Sequence, residues 1–599
     1  MKYLFTFCFF SFSIIAFAQL SVRNDTYIYV KDQIIFVKDD INLNEADSKI
    51  YLRDESQLIQ GDLTTGNSGI GELSVYQEGT VNQWTYNYWC SPIGGILSNT
   101  SINNSFRLNQ TDDPLLSTMS TIDSQDSGFT NDFDGYNSPL TISNRWLWTY
   151  VASDSYSDWA FVGSTNDIAP GLGFTMKGIG TAATGNQTYD FRGKPNNGTI
   201  GNAVLEDLFT LVGNPYPSAI DAALYIHDVD NVNAIDGTLY YWEQNGTVNS
   251  HVLQDYVGGY YEFTINAAGD IITDTPAVFM TYNENDNSFP LVTPENGVKT
   301  AGRYIPIGQG FMVKGETSTT GTVFAKNEHR VYEKEGGSSS FFRNASLTED
   351  NDENTTSINY QTNGLSLVPA DYKRFRLNVD FSVNQSQYTR QLILNFHNTA
   401  TEGYDKGLEL KRSSNYATDT YFTIDNKVCS GAAYAFDEAL VIPLNVDIEE
   451  QQPMRIRIFD IQNFEDGQGI YIHDNNNDTY VNLRNQNFEI NIEPGNYSNR
   501  FEIVFIPNQV LGVEDVDLST VSITQDNQIH QLVVSNPNSL EIKKIEVFDV
   551  IGKEVLSKSY NTSMSKYKLT TTNFSDGVYV VNVVTESNTI KTQKVIVKN

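Results

Sequence analysis

One short stretch of the chain spaces oxygen-bearing side chains as a calcium loop would. In HDNNNDTYVN, residues 473–482, Asp474, Asn476 and Asp478 occupy every second position, and carboxylate and amide oxygens are the ligands that calcium prefers. The helix–loop–helix calcium motif also needs Gly at position six and Glu at position twelve, and this stretch has neither. Because Asx-rich turns between strands explain the same residues without an ion, calcium binding and a simple turn both remain open.

Aromatic residues form two rows that could stack on sugar rings. WTYNYW (84–89) and WLWTY (146–150) place large rings at every second residue, so that in a strand they share one face. An exposed row would make Trp84, Trp146 and Trp148 candidates for glycan contact. The alternative is that these rings fill a core, as large aromatics commonly do.

Signatures of catalysis are missing from the sequence. The six His residues are scattered, and neither HExxH nor GxSxG occurs. Cys90 and Cys429 are single thiols far apart, and no CxxC pair suggests a zinc site or a disulfide framework. A glycosidase-like carboxylate pair is defined by its separation in space, which sequence does not show. The sequence therefore supports no catalytic residue and no cofactor, with calcium the one ion it suggests.

The composition describes an acidic, well-packed globular protein. The 599 residues are 40% hydrophobic and 12% aromatic, and the formal net charge is −34. Phosphate backbones and anionic membrane surfaces repel a protein of this charge, so nucleic acid is not an expected partner.

The first 18 residues, MKYLFTFCFFSFSIIAFA, have the features of a secretory signal peptide. A lysine precedes an apolar run, and Ala16 and Ala18 form the small-x-small pattern that predicts cleavage before Gln19. No later segment approaches 18 continuous apolar residues, so we expect no transmembrane helix after the leader is removed.

Strand patterns dominate the remainder. Short β-branched and aromatic runs alternate with charged turns, as in YIYVKDQIIFVKDDINL at 27–43. Long stretches with the 3.6-residue spacing of a helix are hard to find. The sequence predicts an all-β fold, a multi-domain β-sandwich protein with an immunoglobulin-like domain at its C-terminus.

The middle of the chain contains a duplicated pattern. APGLGFTMKG (169–178) returns as IPIGQGFMVKG (305–315), and a proline turn precedes each copy, YWCSPIGG (88–95) and LVGNPYPSAID (211–221). Two copies at this distance predict duplicated modules rather than a solenoid. The paired glycines would permit positive φ before a strand, which favours structural turns over a phosphate loop; they stand at 171, 173, 308 and 310.

Composition shifts and these repeats predict the domain boundaries. Residues 336–356 combine a Gly/Ser run with an acidic polar stretch, which is typical of a linker. The predicted divisions are a signal peptide (1–18), an N-terminal β region (19–80), a first β module (84–200), a second β module (205–335), the linker (336–356), a β-sandwich domain (357–507) and a C-terminal domain (513–599).

In the C-terminal domain IKKIEVFDVIGKEVLSKSY (542–560) contains a Val/Ile-rich strand and a D-x-x-G-+ turn, and the G-x-Y strand GVYVVNVV and a Lys-rich last strand follow. With these motifs the domain resembles the sorting domain of cargo for the type IX secretion system of Bacteroidota. The usual YPNP opening of the commonest subtype is absent. In the family this folded domain is recognised for passage across the outer membrane, and the cargo is then released or attached to surface lipopolysaccharide.

The resemblance implies both a route and a set of residues. The secretion machinery is the expected partner, with surface lipopolysaccharide a further one, and the location is extracellular or on the outer-membrane surface. The residues that match the motif or lie on its last strand are Gly552, Gly577, Tyr579, Lys591, Lys594 and Lys598. The lysines could instead be edge-strand charges that discourage aggregation.

Together these features predict a non-catalytic protein of the cell surface, exported by type IX secretion and acting in adhesion or glycan contact. The alternative is a secreted polysaccharide-active hydrolase, which would need two carboxylates facing each other across a cleft within residues 84–335.

Overall fold

The computed structural model describes residues 20–61, 66–96, 103–115, 121–180, 185–282, 288–290, 296–316, 321–335, 358–383, 386–507, 518–586 and 589–599. Strands make up about 53% of the structure and helices about 4%, which confirms the all-β prediction. The chain divides into two compact units, Met1–Ile506 and Pro507–Asn599. The predicted signal peptide with Ala16, Ala18 and Gln19 lies outside the described residues, as does the predicted linker. No helix in the described ranges is long and apolar enough to cross a membrane.

The N-terminal region is a coil of parallel strands. The chain passes round three faces and pairs each strand in parallel with its equivalent in the next turn, giving the sheets β1-β4-β7, β2-β5-β8 and β3-β6. The strands are β1 (Leu20–Val22), β2 (Tyr27–Lys31), β3 (Ile34–Val37), β4 (Ile41–Leu43), β5 (Lys49–Arg53), β6 (Gln57–Gln60), β7 (Ser68–Gly69) and β8 (Glu72–Thr80).

Stacked aliphatic side chains hold this coil together. Ile28, Ile50 and Leu73 occupy the same register position in successive turns, and the last two are fully buried. At equivalent corners Asp32 and Asp54 adopt φ of 55° and 51°, a conformation that Asp tolerates better than most residues. The sequence predicted strands and turns here but not their parallel arrangement, because the alternation of buried and exposed residues is the same in both arrangements.

The first module continues the sheet of the coil. Its strands are β9 (Tyr86–Cys90), β10 (Ile93–Gly94), β11 (Thr111–Pro114), β12 (Ser124–Asp126), β13 (Gly128–Thr130), β14 (Tyr136–Asn137), β15 (Leu140–Ser143), β16 (Trp148–Thr149), β17 (Ala160–Phe161), β18 (Gly173–Lys177), β19 (Asn186–Pro195) and β20 (Ile200–Val204). Strand β19 pairs antiparallel with β8 and so extends the sheet that contains β5 and β2.

The second module is built around a seven-stranded sheet and one five-residue helix, α1 (Ala222–Ile226), which Asp221 caps by accepting from the Ala223 amide. Its strands are β21 (Phe209–Gly213), β22 (Ala219–Asp221), β23 (Ile235–Gln244), β24 (Val257–Ile265), β25 (Ile272–Thr275), β26 (Met280–Tyr282), β27 (Ser288–Pro290), β28 (Tyr304–Ile305), β29 (Gly310–Gly315), β30 (Gly321–Ala325) and β31 (Arg330–Val331). Elsewhere in the described residues short 3-10 helices cover Leu108–Gln110, Asn144–Trp146, Tyr156–Asp158, Leu253–Asp255, Asn327–His329 and Leu518–Thr520.

The two repeats meet in a reciprocal joint. The Cys90 amide donates to the Gly308 carbonyl at 2.9 Å, and the repeat-equivalent Gly213 amide donates to the Gly171 carbonyl at 3.2 Å. Isolated β-bridges join Trp89 to Gln309 and Leu172 to Val212 in the same exchanged pattern. The proline turn of each module therefore binds the glycine turn of the other, and the duplicated segments pair with each other.

The four glycines of the joint have two different tasks. Gly171 and Gly308 have φ of 77° and 73°, where a side chain is strained. Gly173 and Gly310 have ordinary φ, but backbone passes against them. A Cβ on Gly310 would lie 2.7 Å from the nitrogen of Trp89. The prediction of positive φ is right for the first glycine of each pair and wrong for the second. At the second position neighbouring atoms lie too close for a side chain to fit.

A large sandwich packs against the second module. Its eleven-stranded sheet system comprises β32 (Lys373–Val383), β33 (Ser386–Phe396), β34 (Leu410–Lys411), β35 (Asp419–Ile424), β36 (Lys427–Tyr434), β37 (Val441–Ile448), β38 (Gln452–Gln462), β39 (Tyr471–Asp474), β40 (Thr479–Asn482), β41 (Phe488–Ile492) and β42 (Gly495–Val504). Buried aromatic and aliphatic side chains fill its core.

Buried polar groups join this sandwich to strand β25. Arg376 pairs with the Asp274 carboxylate at 2.6 Å, and Arg374 donates to the Ile272 carbonyl at 2.6 Å. Both arginines are fully buried. Burying a charge is costly unless it is paired, so this contact fixes how the second module and the sandwich fit together.

The C-terminal unit is a sandwich of two antiparallel sheets, as predicted for an immunoglobulin-like domain. The sheets are β43-β44-β47 and β46-β45-β48-β49, and fifteen buried residues between them form a core of their own. The strands are β43 (Ser522–Asp526), β44 (Gln531–Ser535), β45 (Ile542–Phe548), β46 (Glu554–Ser559), β47 (Lys566–Thr570), β48 (Gly577–Thr585) and β49 (Ile590–Val597).

The joint yields a prediction for stability. Replacing Gly310→Ala forces a methyl group against the backbone of Trp89, and overpacking of this kind costs about 1–3 kcal/mol. Urea unfolding of the intact protein should show the transition of the larger unit at a lower midpoint. Gly467→Ala is the control, because its added Cβ would have no neighbour within 4 Å. Equal midpoints for the two variants would contradict the close-packing role of Gly310.

Candidate functional site

The three tryptophans predicted to contact glycans, Trp84, Trp146 and Trp148, are half-exposed residues of the first module. Trp84 and Trp146 each pack against the ring of His251, with centroids 4.3 and 4.9 Å apart. Phe133 stacks on the same histidine at 5.4 Å, and Trp148 meets Phe161 edge-on at 5.2 Å. We call this set the aromatic strip; it comprises Trp84, Phe133, Trp146, Trp148, Phe161 and His251.

Backbone hydrogen bonds fix the two central indoles of the strip. The Trp146 ring nitrogen donates to the Phe133 carbonyl at 2.7 Å, and the Trp148 ring nitrogen donates to the Arg145 carbonyl at 2.6 Å. The N–H groups are thus occupied within the protein. Phe133 and Phe161 are each 51% exposed, so these two side chains present aromatic carbon to the solvent.

The predicted rows divide between surface and core. Tyr88 and Tyr150, at the inner ends of the two rows, are buried in a cluster with Leu211, Tyr240 and Met312. Of the six tryptophans, Trp89 is buried in the core of the first module, and Trp159 and Trp242 pack on this inner cluster. The core interpretation therefore holds for Tyr88, Tyr150 and Trp89, whereas glycan contact by Trp84, Trp146 and Trp148 stays a prediction.

Beneath the strip lies a lysine enclosed by aromatic rings. The ammonium nitrogen of Lys177 is 4.5, 4.0 and 4.5 Å from the ring centroids of Tyr86, Trp146 and Tyr256. It also bonds to the Tyr256 hydroxyl at 2.7 Å and approaches Nδ1 of His251 at 3.3 Å. The side chain is buried.

Burial sets the protonation of this lysine. Removal from water lowers the pKa of Lys177 to about 7, against a smaller opposing effect of Asp134. Burial likewise lowers the pKa of His251, although Nε2 of that ring lies 2.8 Å from the Asp134 carboxylate. The groups therefore form a chain from Asp134 through His251 to Lys177, under the exposed rings.

The repeat places a second lysine in an equivalent position. Lys177 lies opposite Tyr86 in the β9–β18 pairing, and Lys314 lies opposite Phe209 in the β21–β29 pairing. Lys314 stands 4.7 Å from the Phe209 ring centroid, and burial lowers its pKa as well. Sequence reasoning missed both residues. The lysine at the same position in GFTMKG and GFMVKG could have indicated that the two repeats share a lysine with one role.

The predicted calcium residues form a hairpin turn in which each carboxylate already has a partner. The Arg500 guanidinium donates two hydrogen bonds of 2.9 Å to the Asp474 carboxylate. Asp474 also accepts a hydrogen bond from the Asn476 backbone amide. Asp478 lies 3.1 Å from the ring of His473 and has φ of 49°. Calcium binding here stays a prediction, in competition with these contacts.

A second group of possible metal ligands was not foreseen. Asp228, Glu328 and His329 bring one donor atom each within 4.8 Å of the others. Lys326 lies among the carboxylates, with its nitrogen 2.7 Å from Asp228 and 2.6 Å from Asp230. The lysine supplies the positive charge that this cluster needs.

The sorting motif forms a rigid hairpin end. The Asp549 carboxylate accepts from the amides of Ile551 and Lys553, both at 3.0 Å. Gly552 has φ of 83°, which explains why the turn carries Asp first and Gly fourth. Gly577 opens β48 with ordinary φ, and a Cβ there would meet nothing closer than 3.9 Å, so no turn requires glycine at that position.

The other residues of the motif separate into internal and exposed groups. Tyr579 is buried and donates to the Ser575 carbonyl at 2.9 Å. The Lys591 amine donates to the Leu518 carbonyl at 2.8 Å, whereas Lys594 and Lys598 are exposed.

Comparison with known families gives two matches. Residues 527–598 match the secretion system C-terminal sorting domain, which confirms a type IX secretion cargo. Residues 126–505, more than half of the chain, match a domain of unknown function, DUF8693. The chain belongs to the DUF8693 family.

A comparison with curated proteins gives no match to the chain. Among solved structures, a biofilm-associated protein BSP domain matches at 12% identity over 88% of this chain and 90% of its own, with a TM-score of 0.11.

The DUF8693 segment includes most of the aromatic strip but not all of it. Phe133, Trp146, Trp148, Phe161 and His251 lie within residues 126–505, whereas Trp84 lies before them. The segment also contains the second module and the whole sandwich, which the buried arginines on β32 join. The match to DUF8693 thus begins at residue 126, inside the predicted first module.

The enclosed lysine predicts a specific pH dependence of stability. Because the pKa of Lys177 is about 7 in the folded protein and that of an ordinary lysine is 10.5, the unfolded chain binds more protons between these two pH values. Stability contributed by this site therefore rises with pH from about 7 to about 10. Comparing wild type with Lys177→Met by urea unfolding should show that the variant lacks this rise.

Lys38→Met is the matched control, because Lys38 is exposed. It should retain the pH dependence of wild type. A difference between wild type and Lys177→Met that stays constant from pH 7 to pH 9.5 would contradict the assigned environment of Lys177.

Proposed function

We propose that this exported DUF8693 protein is a non-catalytic binding protein of the cell surface and that its aromatic strip contacts glycans. The sorting domain accounts for secretion, with attachment to the surface or release. The observation that supports glycan contact is the set of rings at the surface of the strip: Trp84, Trp146 and Trp148 are part-exposed, and Phe133 and Phe161 are each 51% exposed. Sugars present C–H groups on their ring faces, and aromatic carbon is the surface that such groups pack against.

The rigidity of the strip favours binding over simple exposure. Hydrogen bonds from Trp146 and Trp148 to backbone carbonyls hold the indoles in place, and the guanidinium of Arg145 lies 4.5 Å from the Phe133 ring centroid. A preorganised surface loses little conformational entropy when a ligand binds. Exposed aromatic carbon that serves no contact is a liability for a secreted protein.

The hydrolase alternative would need carboxylates that are free to act. In the described part of residues 84–335, Asp190 is paired with Arg192, and Asp221 with Arg303. Asp274 is buried and is paired with Arg376 of the sandwich. These three carboxylates support the folded structure and are not free to act as an acid–base pair.

A groove on the sandwich also contains two carboxylates that could take part in acid–base chemistry. Its volume is about 520 Å³, and Asp380 and Glu489 line it on either side of Arg455. Burial alone would raise the pKa of Asp380, but hydrogen bonds from Arg457, Thr389 and Arg455 outweigh it and lower the pKa. A carboxylate held ionised in this way is a poor general acid.

A glycan array with the purified full chain tests the proposal. Phe133→Ala and Phe161→Ala should each weaken binding of the glycans found by about two- to tenfold, since an aromatic contact contributes about 0.5–1.5 kcal/mol. Phe459→Ala is the control, because Phe459 is 47% exposed on the sandwich, outside the strip.

The outcomes separate the candidate functions. Loss of binding in the strip variants with normal binding in Phe459→Ala supports the proposal. Equal binding by all four proteins, or no bound glycan at all, contradicts it. Release of new reducing ends from a bound polysaccharide would favour the hydrolase instead.

A further inference from the structure

The two outer faces of the C-terminal unit differ in chemistry. On the three-stranded sheet the outward positions of β43 and β47 are exposed and polar; they are Ser522, Thr524, Lys566, Lys568 and Thr570. This is the ordinary pattern for a sheet with one face in the core and one in water.

The four-stranded sheet departs from that pattern. Its outward positions at one end are apolar, with Val578 opposite Ile596 and Val580 opposite Phe548. Val578 is 40% exposed and Ile596 is 66% exposed. The hairpin tip that follows Phe548 adds two more apolar side chains. We call this set the apolar face; it comprises Phe548, Val550, Ile551, Val578, Val580 and Ile596.

The hairpin tip presents its apolar side chains to water because of its backbone bonds. Asp549 holds the amides of Ile551 and Lys553, and Gly552 completes the turn. Val550 and Ile551 are left 73% and 84% exposed. A rigid turn that exposes two large aliphatic residues is costly for solubility unless something covers them.

We infer that the apolar face is the surface through which the folded sorting domain binds a protein of the secretion machinery. All six residues lie within the segment 527–598 that matches the sorting domain. The core of this unit is formed by the opposite side of the same strands, so the apolar face contributes nothing to the packing between its two sheets. The partner that the domain must meet during export is that machinery.

Charge at the margin of the face defines the partner further. Lys594 lies in register with Val580 and is exposed, and Lys553 follows the hairpin tip. The partner surface should therefore be apolar with carboxylates at its edge. A net charge of −34 on the whole chain disfavours an anionic lipid surface as the occupant.

This assignment also divides the predicted lysines. Lys594 borders the apolar face, whereas the amine of Lys591 is engaged with the Leu518 carbonyl inside the unit. Removing the charge of Lys594 should weaken export, and removing that of Lys591 should act on stability.

Export of the full chain in a host that carries the secretion system tests the inference. The double variant Val578→Thr, Ile596→Thr keeps a β-branched side chain with high strand preference at both positions but makes the face polar. We expect the extracellular amount to fall about tenfold, which corresponds to about 1.4 kcal/mol of lost contact. The protein should accumulate in the cell.

Val533→Thr is the matched control. Val533 is a half-buried outward residue on the polar sheet, in register with Thr524 and Lys568. It should be exported like wild type. Proteolysis of the purified double variant checks that it is folded. If it proves unfolded, Lys594→Gln, which changes only an exposed side chain, replaces it with the same expected loss.

Photo-crosslinking identifies the occupant directly. A photoreactive residue at 578 in the full chain should crosslink to a component of the secretion machinery, and one at 533 should not. Crosslinks from 578 only to a second copy of this chain, only to lipopolysaccharide, or to nothing would overturn the inference. Normal export of folded apolar-face variants would also overturn it. None of these outcomes depends on glycan binding by the aromatic strip.

Discussion

The reciprocal joint between the two repeats is the constraint on which the larger unit depends. Each repeat ends a strand at a proline turn and starts another at a glycine turn, and each turn finds its partner in the other repeat. Neither copy can complete these bonds alone. Backbone carbonyls and amides that are buried without partners are costly, so the two modules must fold against each other. The aromatic cluster around Tyr240 then fills the space between them.

The same dependence continues into the sandwich. Strand β25 of the second module presents backbone carbonyls and the Asp274 carboxylate, and β32 supplies Arg374 and Arg376 to meet them. Glu262 accepts from the Ser430 hydroxyl and the Ser413 amide of the sandwich, both at 2.6 Å. Contacts of buried charged groups permit one arrangement and penalise others. The second module and the sandwich, which these contacts join, both lie within the DUF8693 segment at residues 126–505.

Sequence alone predicted fold class and export but not the way in which the parts join. Alternating residues predict strands regardless of pairing, so the parallel coil that contains Ile28 and Ile50 was not distinguishable from hairpins. The repeated GFTMKG and GFMVKG segments were visible in the sequence. The binding of each glycine turn to the other module's proline turn was not, because it joins residues that are far apart in sequence. Trp146 and Trp148 were identified as candidates. His251 and Phe133 could not be, because only folding brings them beside Trp146.

Hydrogen bonds to neighbouring segments of the C-terminal unit hold residues 590–599 in place. Strand β49 pairs along β48 to Val597, the Lys598 amide donates to Asn527, and the Asn599 amide donates to the Asp576 carboxylate at 2.8 Å. These bonds tie residues 598 and 599 to segments elsewhere in the C-terminal unit. Ile596 belongs to the terminal strand, so its place on the outer face depends on the same bonds. If β49 did not pair with β48, Ile596 would not stay next to Val578. The pairing keeps the two side chains together as one surface.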